Sequence, residues 1–213
     1  MFIEMIDSLR CVNDHAETWL VASFREIANR FVIEGTLGCP ICSAEYQINN
    51  GVADFTLGAR APDRANERAA AEHSREELAT RAGAFLDATQ PGATIVLGGL
   101  WSLGAAELAE MADVRVIALN PPPGVYESEK VGVVWVARRI PLAQSSAHGV
   151  ALDEWFDPEI VEAARRVVKQ GGRVVGPASF PRPAETTVLA HDDAYWVAEK
   201  PVEMIPLQRA KAT

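Results

Sequence analysis

All three cysteines of this 213-residue chain lie near its beginning, and they occur in two short groups. Cys11 is followed by His15 after three intervening residues, and Cys39 is followed by Cys42 after two. Two close pairs of this kind supply four soft or borderline ligands, which is the set that a tetrahedral zinc ion takes. The sequence therefore predicts one structural zinc site formed by Cys11, His15, Cys39 and Cys42.

Alternatives to this site stay open at the level of sequence. Cys39 and Cys42 have the spacing of a redox-active pair, although such a pair normally begins a helix and the residues that follow here have a strand and turn pattern. A second alternative is that the cysteines are reduced thiols that bind no metal. Asp14 is the alternative to His15 as the fourth ligand. Four protein ligands leave no open position for water, so the predicted metal is structural rather than catalytic.

Residues 1–57 contain short apolar runs separated by turn signals rich in Gly and Asn. This pattern predicts a small antiparallel sheet, with strands over 18–24, 30–38, 44–48 and 52–55. A sheet of this size has a thin core of its own and needs a staple such as a metal ion. We therefore expect a zinc ribbon over residues 1–57.

Residues 58–92 are predicted to form a linker and an amphipathic helix. The composition shifts to Ala, Glu and Arg from Pro62 to Gln90, and Pro91-Gly92 ends the helical pattern. Apolar residues recur there at helical spacing. They are Leu78, Ala82, Phe85 and Leu86.

Strand and helix patterns alternate in residues 93–213, and the strands are continuous apolar runs, as in parallel sheets that are covered on both faces. The predicted strands are 93–97, 114–119, 132–136, 148–152 and 173–176, the predicted helices are 103–112 and 157–170, and a hairpin near the end contains Asp192-Asp193. Residues 120–131 are too few and too rich in proline for a crossover helix. The fold class predicted is α/β: a small antiparallel zinc ribbon followed by a trimmed, doubly wound Rossmann-like domain.

The segment from Leu9 to Phe55 contains the motifs CVNDH and GTLGCPICSAEYQINNGVADF. It resembles the short zinc-ribbon proteins that activate methyltransferases acting on transfer RNA and translation factors. Those relatives usually have Cys-x2-Cys in both loops, whereas the first loop of this chain has Cys11-x3-His15.

The second half resembles a class I S-adenosylmethionine-dependent methyltransferase. The matching motifs, in chain order, are VLGGLWSLG, VIALN, RIPLAQSSAHGVALDEW, EAARRVVKQGGRVVG and VLAHDDAYWVAEK. The resemblance implies a fold of the methyltransferase type and adenosylmethionine as cofactor. It places Gly98, Gly99 and Gly104 in the loop beside the cofactor, and Asn120 at its ribose.

Several positions depart from the pattern that binds this cofactor. Gly98 stands where an acid is expected, Leu100 and Ser102 replace the central glycines, and Asn120 replaces the acid that binds the ribose. We therefore expect a protein that has lost cofactor binding and acts as a binding or assembly subunit. The alternatives are an active methyltransferase whose ribbon helps to bind substrate, and a protein that binds another small ligand beside Trp101 and Asn120.

Charge and hydropathy limit the partners. The chain has 20 basic and 29 acidic residues, a net charge of −9 that does not favour nucleic acid, whose binding depends on many Lys and Arg contacts. No apolar run reaches the length of a membrane span, and residues 1–10 lack the pattern of a signal peptide, so we expect a cytoplasmic protein without membrane contact. The apolar region 121–142 is expected to be buried against the ribbon, a second copy or another protein. We thus expect a protein partner or a homo-oligomer.

Overall fold

Residues 1–59 and 73–202 contain a mixed β-sheet of eleven strands. The computed structural model describes residues 1–59 and 73–202. The strands are β1 Val21–Ala28, β2 Phe31–Gly38, β3 Glu45–Asn49, β4 Val52–Phe55, β5 Thr94–Gly98, β6 Arg115–Leu119, β7 Val131–Val136, β8 Ala147–Ala151, β9 Val168–Pro177, β10 Thr187–His191 and β11 Tyr195–Glu199. Their order across the sheet is β1-β2-β3-β4-β7-β6-β5-β8-β9-β11-β10.

The helices are short and lie beside this sheet. The α-helices of the described ranges are α1 Ile3–Ile6, α2 Arg75–Leu86, α3 Ala105–Met111 and α4 Pro158–Val167, and a 3-10 helix spans Gly99–Gly104. None of these helices has both the length and the apolar character that crossing a membrane requires.

Strand directions divide the sheet into three parts. Strands β1 to β4 are antiparallel, β4 to β9 are parallel in the order β4-β7-β6-β5-β8-β9, and β11 and β10 form an antiparallel hairpin at the far edge. Antiparallel hairpins that carry the cysteines thus precede a parallel sheet. This confirms the predicted α/β fold class.

Two hydrophobic cores cover the two faces of the sheet. Side chains of a strand alternate between faces, and on β5 Val96 belongs to one core while Ile95 and Leu97 belong to the other. Helix α4 packs into the first core, whereas α2 and α3 pack into the second. Helices α3 and α4, which follow β5 and β8, therefore lie on opposite faces of the sheet, as right-handed crossovers require.

Strand β4 joins the antiparallel part to the parallel part by pairing with β7. Its partners are Ala53 with Val134, Asp54 with Trp135, and Phe55 with Val136. The hairpin region therefore pairs with the edge of β7. For region 121–142 we predicted burial against the ribbon, a second copy or another protein, and this contact corresponds to the ribbon. The division into 1–57, 58–92 and 93–213 stays a prediction, and the sheet is continuous across it.

Several element boundaries differ from those predicted, and the strand predicted over 18–24 is β1 at Val21–Ala28. The helix predicted over 157–170 ends at Val167, and Gly171-Gly172 lies inside β9 rather than beyond a helix end. A Cβ at Gly172 would lie 2.5 Å from the carbonyl oxygen of His148, so this glycine permits a close approach to β8 at an irregular register. The helix predicted over 103–112 begins as the 3-10 helix and becomes α-helical at Ala105.

The amphipathic helix predicted between Pro62 and Gln90 is described only in part. Within the described residues it is α2, which begins after the Ser74 cap and ends at Leu86. The predicted helix residues from Pro62 to residue 72 lie outside the described residues. Leu78, Ala82 and Leu86 are buried as predicted, while Phe85 is half-buried.

We predict that β4 and β7 open together. Because their pairing lies over one core that contains Leu37 of β2 and Val134 of β7, neither strand should lose its amide protection before the other. Hydrogen exchange followed by mass spectrometry at increasing urea concentrations should give the same opening free energy for peptides covering the two strands. Peptides of β4 that exchange well below the opening free energy of β7 would show instead that the hairpins unfold as an independent unit.

Candidate functional site

The side chains of Cys11, His15, Cys39 and Cys42 converge on one point, with their ligand atoms within 4.8 Å of one another. Nε2 of His15 lies 3.1 Å from Sγ of Cys11 and 3.3 Å from Sγ of Cys39. Sγ of Cys11 and Sγ of Cys42 are 3.6 Å apart. Zinc–sulfur bonds of about 2.3 Å place the sulfurs of a tetrahedral site about 3.8 Å apart. The donor set and its spacing therefore fit a zinc ion.

The turn between β2 and β3 positions two of the sulfurs. Cys39 directly follows β2, its amide donates to the carbonyl of Ala44, and the amide of Ser43 donates back to the carbonyl of Cys39. The side chain of Asn13 donates to Sγ of Cys42 at 3.3 Å. Hydrogen bonding from the Ala44 amide, with that from Asn13, lowers the pKa of the Cys42 thiol to about 6. This favours the thiolate, which is the form that binds metal.

His15 is oriented by its own backbone neighbour. Its Nδ1 lies 2.7 Å from the carbonyl oxygen of Ala16, and a proton on Nδ1 that donates there leaves Nε2 free as a ligand. The carboxylate of Asp14, the alternative ligand, is 96% exposed and lies 3.5 Å from Arg139. The geometry brings His15 into the cluster and leaves Asp14 outside it.

Tyr46 connects the cluster to the core of the sheet, a role that sequence reasoning missed. Its Oη lies 3.0 Å from Sγ of Cys11 and accepts the amide proton of Val12 at 3.2 Å, which leaves the hydroxyl proton for the sulfur. The ring is buried and stacks on Phe55 with centroids 4.3 Å apart. The only hint in the sequence is a tyrosine on the predicted strand that follows the second cysteine pair.

The crevice at the carboxyl ends of β5 and β8 contains Gly98 and Gly99, which the resemblance places beside adenosylmethionine, and side chains of the protein lie against both glycines. A Cβ at Gly98 would lie 2.5 Å from Leu152 and 2.6 Å from the ring of Phe156. A Cβ at Gly99 would lie 2.3 Å from both carboxylate oxygens of Asp153. Because these glycines have no Cβ, side chains of the protein pack directly against them, at the position where the resemblance implied a bound cofactor.

Asp153 is fully buried and holds this arrangement together. One carboxylate oxygen accepts the amide proton of Leu100 at 2.6 Å, and the other accepts that of Trp155 at 3.1 Å. Burial raises the pKa of Asp153 to about 7, and the neighbouring charge of Glu154 adds to the shift. Sequence reasoning missed this residue, which carries no motif of its own.

The other residues assigned to the cofactor also have partners within the protein. The side-chain amide of Asn120 donates to the carbonyl of Val136 at 2.9 Å and accepts from its amide at 2.8 Å, so both polar atoms face β7. A Cβ at Gly104 would lie 2.6 Å from the backbone of Ala79, which places α2 directly on this glycine. Trp101 is buried against Tyr195. The residues present do not fit adenosylmethionine.

Comparisons with known proteins give a distant likeness to methyltransferases. No family model matches the sequence, and no curated protein matches it. A solved structure from Galdieria sulphuraria, described as a sarcosine dimethylglycine methyltransferase, is 21% identical with a TM-score of 0.40, over 52% of this chain and 48% of that one. A methyltransferase described as dependent on adenosylmethionine, from Methanococcus maripaludis, is 12% identical with a TM-score of 0.41, over 62% and 85%.

A third structure, phosphoethanolamine N-methyltransferase 2 of Haemonchus contortus with bound S-adenosylmethionine, is 14% identical with a TM-score of 0.40. The match covers 47% of this chain and 27% of that one. The chain thus spans about half the length of the Galdieria protein and less of the Haemonchus enzyme. At these identities the likeness concerns the fold of part of the chain and says nothing of its activity.

We predict about one zinc ion per chain, measured by elemental analysis of the purified protein. Cys39→Ser should release the metal, because it removes a buried thiolate ligand. His15→Ala should weaken zinc binding by more than tenfold, measured by competition with a chromophoric chelator. Asp14→Asn is the matched control and should leave zinc affinity unchanged. If Asp14→Asn loses the metal and His15→Ala keeps it, the ligand assignment is wrong.

We also predict that Asp153 makes stability depend on pH. Its pKa is about 7 in the folded state and about 4 in an unfolded chain, so between these values the folded state holds a proton that the unfolded state lacks. The free energy of unfolding should therefore fall as pH rises from about 4 to about 7, by up to about 4 kcal/mol from this group.

Urea unfolding of Asp153→Asn, measured from pH 4 to pH 8, should show a shallower fall with pH than the unaltered protein, because asparagine does not titrate there. Asp157→Asn replaces a nearby exposed carboxylate and serves as control. Equal slopes for Asp153→Asn and the unaltered protein would contradict the prediction.

Proposed function

We propose that this is a zinc-binding, methyltransferase-like protein that does not bind adenosylmethionine and acts as a binding or assembly subunit. The proposal depends on one observation: the crevice at the carboxyl ends of β5 and β8 is filled by Leu152, Asp153 and Phe156. A structural metal centre with four protein ligands fits the same function, because it leaves no coordination position for a reacting group.

Opening the crevice would disrupt several favourable interactions at once. Asp153 would lose hydrogen bonds from two backbone amides, each of which is worth about 1.5 to 3 kcal/mol with a charged acceptor. Phe156 is 2% exposed, and its transfer to water would cost about 2 kcal/mol more. Together these losses offset most of the roughly 8 kcal/mol that a micromolar ligand supplies.

The hairpin region supports an assembly function through its contact with β7. The resemblance of this region is to short proteins that act on separate methyltransferases, whereas here the counterpart is in the same chain and pairs with the parallel sheet. We propose that the N-terminal hairpins serve as a built-in partner that completes the sheet. A further protein partner or a second copy belongs to the same proposal.

Calorimetric titration with adenosylmethionine tests the proposal. The unaltered protein should show a dissociation constant weaker than about 1 mM, which corresponds to about 4 kcal/mol of binding free energy. Asn120→Asp restores the acid that the ribose requires, and this change alone should not restore binding because the crevice remains filled. Zinc content measured on the same samples confirms that each protein is folded.

A micromolar dissociation constant for the unaltered protein would overturn the proposal and support the alternative, an active methyltransferase with a substrate-binding ribbon. Tight binding by Asn120→Asp alone would show that the missing charge, rather than the filled crevice, prevents binding.

A further inference from the structure

We infer that a second crevice, at the carboxyl ends of β4 and β7, binds a small organic anion that carries a phosphate or carboxylate group. We call it the β4–β7 crevice. It has a volume of about 430 Å³, which lies within the range of small-molecule sites. Its lining includes Val12, Asp14, Leu57, Ala137, Arg138 and Arg139. The inference goes beyond the proposed function, because it concerns different strands and a different ligand.

Chain connections explain why a crevice forms here. Strands β4 and β7 are parallel neighbours, so their carboxyl ends meet at the same edge of the sheet. Beyond β4 the next described helix, α2, packs on one face, whereas Ile140 and Leu142, which follow β7, pack into the core on the opposite face. Adjacent parallel strands whose connections lead to opposite faces leave a crevice between them, and ligands of open α/β sheets bind in such places.

Two consecutive arginines supply positive charge to the crevice. Arg138 and Arg139 directly follow β7, line the cleft and are exposed, in a chain whose net charge is −9. Within the described ranges Arg138 has no ion pair, and Arg139 pairs with Asp14, an almost fully exposed carboxylate, at 3.5 Å. Such an exposed pair is worth little. A ligand phosphate or carboxylate can therefore replace Asp14, and the guanidinium groups match its geometry.

The crevice also offers apolar surface for the body of the ligand. Leu57, which follows β4, is 51% exposed and lies on the rim. Its backbone has a φ of 53°, in the left-handed region that a branched apolar residue rarely adopts. Ala137 and Val12 lie on the other walls. A ligand with an acidic head group and an apolar body satisfies both surfaces.

The loop between Cys11 and His15 forms the third wall. Val12 and Asp14 belong to the loop between the ligands Cys11 and His15, and this loop borders the crevice. The position of the wall thus depends on the loop that the metal would hold. Removing the metal should therefore weaken anion binding, although the four metal-binding side chains do not line the crevice.

Titrations of the full 213-residue chain with phenyl phosphate, phenylacetate and the neutral benzyl alcohol, followed by backbone amide NMR, test the inference. We expect saturable shifts at amides 56–59 and 137–139 with at least one of the two anions, and none with benzyl alcohol. The double variant Arg138→Gln/Arg139→Gln should weaken anion binding at least tenfold. Arg182→Gln removes an exposed arginine from a different cleft and should have no effect.

Each outcome of these titrations either supports or overturns the inferred anion site. Binding of only phenyl phosphate, or only phenylacetate, supports the inference and identifies the head group. Absence of binding by both anions, equal binding of benzyl alcohol, or full binding by the double variant overturns it. A single-stranded RNA decamer that binds with shifts spreading to Arg10 and Arg166 overturns it in favour of a nucleic-acid surface. None of these results depends on whether adenosylmethionine binds, so the two proposals fail independently.

Discussion

The pairing of β4 with β7 is the contact on which the rest of this structure depends. Three residue pairs connect the antiparallel hairpins to the parallel sheet, and the side chains beneath them form one core that includes Leu37, Val134 and Leu142. Residues 120–131 contain no crossover helix, so β7 without β4 would be an unprotected edge. Because the pairing is parallel, it also brings two carboxyl ends together and creates the crevice beside them.

Asp153 lies against a glycine that the resemblance to methyltransferases places beside the cofactor. Gly98 and Gly99 have the close contacts of a ligand-binding loop, yet the atoms that approach them belong to Leu152, Phe156 and Asp153. The buried carboxylate accepts the amide proton of Leu100, in the first turn of the 3-10 helix, where unpaired N–H groups favour an acceptor. Glycine permits close approach of any atom, so the glycines alone do not distinguish a bound cofactor from a side chain.

The local features of this protein could be predicted from its sequence, and the non-local ones could not. Strands β1 to β9 follow from runs of apolar residues bounded by turns, and the convergence of Cys11, His15, Cys39 and Cys42 follows from their spacing. The parallel register of Ala53 with Val134 joins residues far apart in sequence, and no local pattern encodes it. A glycine pair after a run of helical spacing is typical of a helix end, whereas Gly171-Gly172 lies inside β9, where Gly172 permits a close contact with β8.

The metal centre and the β4–β7 crevice are connected by direct contacts. Sγ of Cys11 lies 3.0 Å from Oη of Tyr46, the ring of Tyr46 stacks on Phe55, and Phe55 pairs with Val136 at the base of the crevice. A tetrahedral ion that fixes Cys11 therefore also fixes the tyrosine whose ring packs on the end of β4. Four protein ligands would leave such an ion no open coordination position, as in structural zinc sites. The shape of the β4–β7 crevice, at the junction of the antiparallel and parallel parts of the sheet, therefore depends on the metal centre.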